Sequence, residues 1–272
     1  MKMNNKPLIS VLMGAYNCAS TVEEAVECII KQTYTNWELI ICDDNSSDNT
    51  FEVLTSLAEK DSRIVILKNE KNLTLAPTLN RCLEVAKGEY IARMDGDDVC
   101  SEFRFEKELE FLQNNSEYAL VSCHMEVYDE NGTFGVIKHK ETPALKDFLK
   151  RSQFCHAGCM MRASVLRELG GYSESADFCR VEDYDLWVRM YIAGYVGYNL
   201  QEVLYSMRDD RNAVRRRTFK NRKNESRVIM KVCKEGKLPF YLRVYALVPI
   251  IKWLVPSFIY KILHKKKTNK GQ

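Results

Sequence analysis

The segment YIARMDGDD, residues 90–98, ends an apolar run in three carboxylates, Asp95, Asp97 and Asp98, with Gly96 between the first two. Hard divalent cations such as Mg²⁺ and Mn²⁺ take oxygen ligands, usually one or two carboxylates with water and substrate phosphates completing the shell. Asp95 and Asp97 have that form, and the glycine leaves room for a ligand to approach the backbone. The same residues also suit a polar turn that caps the next helix.

Two further acidic groups bear on the choice. Asp43, Asp44 and Asn45 follow the apolar run Glu38 to Cys42. Glu182, Asp183 and Asp185 open the segment VEDYDLWVRMYIA, in which Leu186, Met190 and Ala193 fall at helical spacing. Carboxylates in a first helical turn complement the macrodipole, which accounts for one or two of them. A third is available as a general base.

These groups are predicted to sit at the ends of buried strands. Leu8 to Met13, Glu38 to Cys42, Ile64 to Leu67 and Tyr90 to Met94 are short and apolar, as strands covered on both faces should be. Helices are expected between them. The first is capped by Ser20 or Thr21 and has Val22, Ala25, Val26, Ile29 and Ile30 on its apolar face; others cover Thr50 to Lys60 and Pro77 to Ala86. Alternating strand and helix implies an α/β fold with a doubly wound, mainly parallel sheet. In such sheets ligands bind beyond the carboxyl ends of the strands, so Ala15, Tyr16 and Asn17, the 43–45 group and the 95–98 group converge on one crevice. No GxGxxG follows the first strand and no GxxxxGK[ST] occurs, which argues against a dinucleotide fold and a P-loop enzyme. Phosphate would have to be held by metal.

Downstream, a helix is expected from Phe103 to Asn114 and a strand from Ala119 to Met125. A hairpin turn at Glu130, Asn131 and Gly132 and a helix from Ser164 to Leu169, stopped at Gly170 and Gly171, follow. The 272 residues include ten cysteines, mostly in apolar runs and without a CxxC pair, a pattern of reduced, buried thiols. Cys155, His156 and Cys159 lack the second pair that a zinc finger needs. The N-terminal sequence has no signal-peptide form, and no stretch reaches the roughly 20 apolar residues of a membrane span, so a cytoplasmic protein is expected. The net charge of +3 divides into +15 over residues 208–272 and −12 over the rest. That asymmetry points to an acidic metal-handling body and a basic segment that meets something anionic.

Taken in order, SVLMGAYN, QTYTNWELIICDDNSSDNT, LNRCLEVAKGEYIARMDGDD, HAGCMMRASVLRELGGY and EDYDLWVRM resemble the family 2 glycosyltransferases, nucleotide-sugar enzymes of the GT-A fold. The resemblance covers about residues 7–207. It implies a GT-A domain over 1–207, with a nucleotide-sugar half to about 125 and an acceptor half over 126–207, followed by a basic, partly amphipathic helical extension over 208–272. It also implies that Ala15, Tyr16, Asn17 and Asp44 cradle the nucleotide of a UDP-sugar, with Asp44 facing the base. Asp97 would be the direct ligand of Mn²⁺ or Mg²⁺, with Asp95 near the ribose or supporting the ion, and Asp98 would be left to cap the next helix. The family's ED pair falls on Glu182 and Asp183, making Asp183 the base, and His156 falls near the donor diphosphate. Two positions depart from the family pattern: Glu102 stands where a proline is common, and Asn72, Leu73, Thr74 lacks a frequent glycine.

The chemistry can be argued without the name. Sugar transfer from a nucleoside diphosphate needs a hydroxyl deprotonated on one face and a diphosphate stabilised on the other, so one carboxylate and one metal suffice. Single displacement inverts the anomeric centre, unlike retaining hydrolases with their second carboxylate. From Arg208 to Arg227 the chain is densely basic, including Arg211, Arg215, Arg216 and Arg217. Leu238 to Leu263 mixes apolar residues with Arg243, Lys252 and Lys261, contains Pro239, Pro249 and Pro256, and is followed by Lys265, Lys266 and Lys267. This reads as an interfacial element on an anionic membrane surface, or as a segment packed on the core. By resemblance, the acceptor is a saccharide on undecaprenyl diphosphate at the inner face of a bacterial inner membrane. Nucleic acid is not expected as a partner, because it would leave the acidic loops without a role.

Overall fold

The structure is a computed structural model that describes residues 6–209 and 218–254. The basic residues Arg211, Arg215, Arg216, Arg217, Lys261, Lys265, Lys266 and Lys267, with Pro256, lie outside the described residues.

The chain begins with β1 (Ile9–Ala15), α1 (Val22–Ile30), β2 (Trp37–Asp43), α2 (Thr50–Lys60), β3 (Ile64–Lys68), α3 (Leu75–Val85) and β4 (Tyr90–Arg93). It continues through β5 (Val99–Cys100), α4 (Arg104–Asn114), β6 (Tyr118–Asp129), β7 (Gly132–Ile137), a 3₁₀ turn at Leu145–Leu149, β8 (Met160–Arg162), α5 (Ala163–Glu168), α6 (Glu182–Ile192) and β9 (Val196–Arg208). α7 (Phe219–Glu235), a 3₁₀ segment (Phe240–Leu247) and α8 (Val248–Leu254) complete the described chain.

The strands form one sheet in the order β3-β2-β1-β4-β8-β6-β9-β5, with β7 paired to β6. β3, β2, β1 and β4 are mutually parallel, as are β6 and β9, whereas β8 runs antiparallel to both β4 and β6. The chain winds outward from β1 to β3 and then returns to place β4 on the other side of β1. The carboxyl ends of β1 and β4 therefore flank the crevice of a doubly wound sheet.

Alternation along the strands divides the core in two. Ile9, Val11 and Met13 of β1 join Val26, Ile29, Leu54 and Phe105 on one face. Leu12 and Ile40 join Leu79, Leu166, Trp187 and Val228 on the other. α7 adds Val228, Ile229, Val232 and Cys233 to that second cluster, so residues 219–235 pack into the body.

The expected α/β fold and its first four strands are observed. β6 is longer than predicted and passes through residue 125 without a break. The predicted cap of α1 is corrected: neither the Thr21 hydroxyl nor a neighbour closes the helix end, because Thr21 Oγ1 donates instead to the carbonyls of Cys18 at 3.2 Å and Gly96 at 3.0 Å. The bond to the Gly96 carbonyl ties the start of α1 to the acidic loop after β4.

Candidate active site at the strand ends

At the end of β4 the side chains of Asp95, Asp97 and Asp98 bring carboxylate oxygens within 4.8 Å of one another. Among the described residues this is the only group of three or more such side chains able to hold an ion. Gly96 sits close against its neighbours, since a Cβ there would lie 3.1 Å from Cys18 Sγ and 3.7 Å from Val22. Burial, then the neighbouring Asp95 and Asp97, pushes the Asp98 carboxyl up to about 7. Three gathered acids, with Asp98 resisting ionisation beside the other two, suit an oxygen-preferring cation, whose charge reverses that penalty.

Asp98 does not cap a helix. β5 intervenes before α4, and Asp98 instead accepts from Tyr205 Oη at 2.8 Å and from the Arg208 amide at 2.8 Å. The same Tyr205 oxygen accepts from the Asp95 amide at 3.3 Å. Arg208 Nε donates to the Asp97 carbonyl at 3.1 Å. The end of β9 thus holds the acidic loop at three points.

Beneath it lies Arg93, 1% exposed, which donates to the Met94 carbonyl and the Asp95 carboxylate. Burial alone would lower its pKa, but Asp95, Tyr172 and Tyr205 together raise it and keep the guanidinium charged. Its charge reaches His156, Tyr172 and Glu182 as well, linking the acidic loop to the start of α6.

At that start the three acids have different fates. Asp185 is fully buried and ion-paired to Arg189 Nε and Lys231 Nζ, each at 2.8 Å. Glu182 is buried, and burial raises its pKa. Among the described residues Asp183 has no cation paired to it in the way Asp185 has: it takes a long hydrogen bond from Ser152 Oγ at 3.4 Å and one from the Tyr184 amide, and burial followed by the Glu182 charge pushes it up to about 6. A carboxylate of that pKa can accept a proton near neutrality.

The residues expected to cradle the nucleotide are brought together by the ends of β1 and β2. Ala15 is buried and its carbonyl accepts from the Asp44 amide at 2.8 Å, while Tyr16 is 52% exposed. Asn17, at φ 51°, accepts from the Ser47 amide at 2.8 Å and donates its own amide to Ser46 Oγ at 3.0 Å. Asp44 already accepts from Asn69 Nδ2 at 2.7 Å and from the amides of Leu73 and Thr74 at 2.7 and 2.9 Å. It thereby secures the 72–74 loop that lacks a glycine, where Thr74 is held at φ 73°, a conformation unfavourable for a β-branched residue. His156 shares a hydrogen bond of 2.9 Å between Nε2 and Tyr172 Oη, and burial followed by the Arg93 charge holds its imidazole neutral. Cys159 Sγ donates to the His156 carbonyl and Cys155 Sγ to Met125 Sδ.

Residues 10–170 match the family described as glycosyl transferase family 2. The chain belongs to that family. Among its relatives, the Bacillus subtilis (strain 168) protein EpsE, assigned by its name to the glycosyltransferases, is 41% identical over 266 residues, 97% of this chain and 96% of its own. An Escherichia coli relative, WfaP, named as a UDP-Glc:α-D-GlcNAc-diphosphoundecaprenol β-1,3-glucosyltransferase, is 29% identical over 225 residues, 83% of this chain and 86% of its own. The fold is shared with the mannosyltransferase PcManGT of Pyrobaculum calidifontis, solved with GDP-Man and Mn²⁺. The TM-score is 0.68 at 17% identity, covering 97% of this chain and 80% of that one. This family 2 glycosyltransferase has the GT-A architecture expected from its motifs.

Arg93, Ser152, Tyr172, Tyr205 and Arg208 were not singled out from the sequence as site residues. Arg93 alone leaves a signal, a charge inside an otherwise apolar buried strand.

Proposed function

We propose that this glycosyltransferase moves glucose or galactose from a UDP-sugar to a hydroxyl of GlcNAc carried on undecaprenyl diphosphate, with inversion at the anomeric carbon. The observation that carries the reading is the pairing of a three-carboxylate group after β4 with Asp183, a base-competent carboxylate at the start of α6. The relative WfaP supports the choice of donor and acceptor, and the Mn²⁺-containing fold neighbour supports a divalent ion.

Asp97 and Asp95 would hold Mn²⁺ or Mg²⁺, with Asp98 behind them. Such an ion, when bound, offsets negative charge on the departing diphosphate. Ala15, Tyr16, Asn17 and Asp44 receive the nucleoside, and His156 faces the diphosphate as a neutral imidazole. Asp183 takes the proton of the acceptor hydroxyl as its oxygen bonds to the anomeric carbon. The bond from that carbon to the diphosphate oxygen breaks in the same displacement, and UDP leaves with the electron pair. Asp183 is thus the catalytic base, and Arg93 and Tyr205 are positioning residues.

Asp183→Asn keeps the shape of the side chain and removes its basicity. Transfer from UDP-glucose or UDP-galactose to a GlcNAc-diphospho-lipid is expected to fall by about 10²–10⁴-fold, the usual worth of a general base. UDP binding in Mn²⁺, measured by calorimetry, is expected to persist. Near-normal turnover in the Asn variant removes Asp183 from the role of base. Failure of the wild-type protein with both donors removes the substrate assignment.

A further inference from the structure

The C-terminal helices present an apolar face that the reaction does not use. In the 3₁₀ segment, three residues per turn align Tyr241, Val244 and Leu247, and α8 continues the row with Ile251 and Leu254. With Phe240 these side chains are between 56% and 77% exposed. The opposite side of the same segment buries Ala246 and Pro249. Outward apolar residues and inward packing reverse the usual order of a surface helix, which marks an interaction surface.

Charge selects the occupant. Lys237, Arg243 and Lys252 are exposed around the row. Residues 236–272 contain eight Lys and Arg and no Asp or Glu. A second copy of the chain on this face would bring two such basic segments together, because a two-fold interface repeats the same patch on both partners. An anionic bilayer offers what the face lacks, negative headgroups over an apolar interior. No helix among the described residues is long and apolar enough to cross a membrane.

We infer that the Phe240–Leu254 face docks the enzyme on a bilayer rich in anionic phospholipid, with its apolar row at the acyl boundary and its basic residues at the headgroups. The inference stands apart from the donor and acceptor assigned above.

The test uses the full chain and vesicles of mixed phosphatidylglycerol and phosphatidylcholine. The wild-type protein is expected to co-sediment with these vesicles, to bind pure phosphatidylcholine less, and to release in high salt. Trp37 and Trp187 are 2% and 1% exposed and Trp253 is 44% exposed, so a blue shift of tryptophan emission on binding reports this face directly. The double variant Leu247→Glu/Ile251→Glu is expected to lose about tenfold or more of vesicle binding while keeping its UDP affinity, the readout that the body is folded. If that variant loses UDP affinity, Lys237→Glu/Arg243→Glu, at two exposed basic positions, must show the same release. Unchanged vesicle binding in the folded variants overturns the inference. So does absence of binding by the wild-type chain, or a wild-type dimer in light scattering that the double variant converts to monomer.

Discussion

Asp183 carries a conflict between stability and activity that can be read in its pH behaviour. Its carboxyl is pushed up to about 6 by burial and by Glu182, against 3.8 for the ordinary side chain. The folded state therefore holds the proton more tightly than the unfolded chain. The stabilisation from this group is complete below pH 4 and is lost as pH rises through about 6. Above that, the ionised, half-buried carboxylate costs stability, but only this form can accept a proton. The transfer rate at low donor concentration is thus expected to rise through about pH 6 to a plateau. Asp183→Asn, neutral at every pH, is expected to melt higher than the wild-type protein above pH 6, by about 2–4 °C for each kcal/mol relieved, and to converge with it below pH 4. Melting curves across that range check the sign, and a variant that melts lower at pH 8 contradicts it. The motif in the sequence located Asp183; its separation from Asp185, two residues on, was not legible there, because the ion pair from Lys231 comes from a helix 46 positions away.

The acidic loop after β4 owes its shape to a strand more than a hundred residues downstream. Its chain ends, β4 and β5, are short, and the contacts that fix it come from β9 through Tyr205 and Arg208 and from α1 through Thr21. Strand periodicity and the polar residues that end each strand were enough to place the loop at the mouth of the crevice, since both are local signals. Its supports depend on the parallel pairing of β6 with β9, a non-local register interrupted by shifts near His124. No local pattern encodes that pairing, so Asp98 read as a helix cap when it is an anchor. Tyr205→Phe tests the anchor. It removes the hydroxyl that accepts from the Asp95 amide and donates to Asp98 while keeping the fully buried ring. The expected result is a loss of about 1–3 kcal/mol in unfolding free energy, from buried groups left without partners, and a weakened Mn²⁺ dependence of UDP binding. Rescue of neither property by higher Mn²⁺ would be expected of a purely structural lesion. Recovery of UDP binding at higher Mn²⁺ identifies a loosened ion site.

At the scale of the molecule, composition divides the chain near residue 208 but packing does not. The charge step there marks a basic extension, and within it α7 places Val228, Ile229, Val232 and Cys233 at 0–2% exposure in the cluster that also holds Trp187 and Leu186 of α6. Lys231 supplies half of the Asp185 ion pairing, and Asn224 Nδ2 donates to the carbonyls of Ala176 and Cys179 just before α6. A basic, polar sequence can hide such a helix, because only one side of it is apolar and its charges dominate the average. Burying an aliphatic side chain is worth about 1.5–3 kcal/mol. The three aliphatic residues of α7 therefore contribute on the order of 5–9 kcal/mol, within the whole margin of about 5–15 kcal/mol that keeps a domain folded. A chain ending at Asp209 is accordingly expected to be unfolded or insoluble, and one ending at Gly236 to retain a cooperative melt, at lower temperature, with UDP binding intact. Circular dichroism melts of the two truncations decide it. A stable, UDP-binding protein ending at Asp209 would show that α7 rests on the body without supporting it, and would restore the division that charge alone implies.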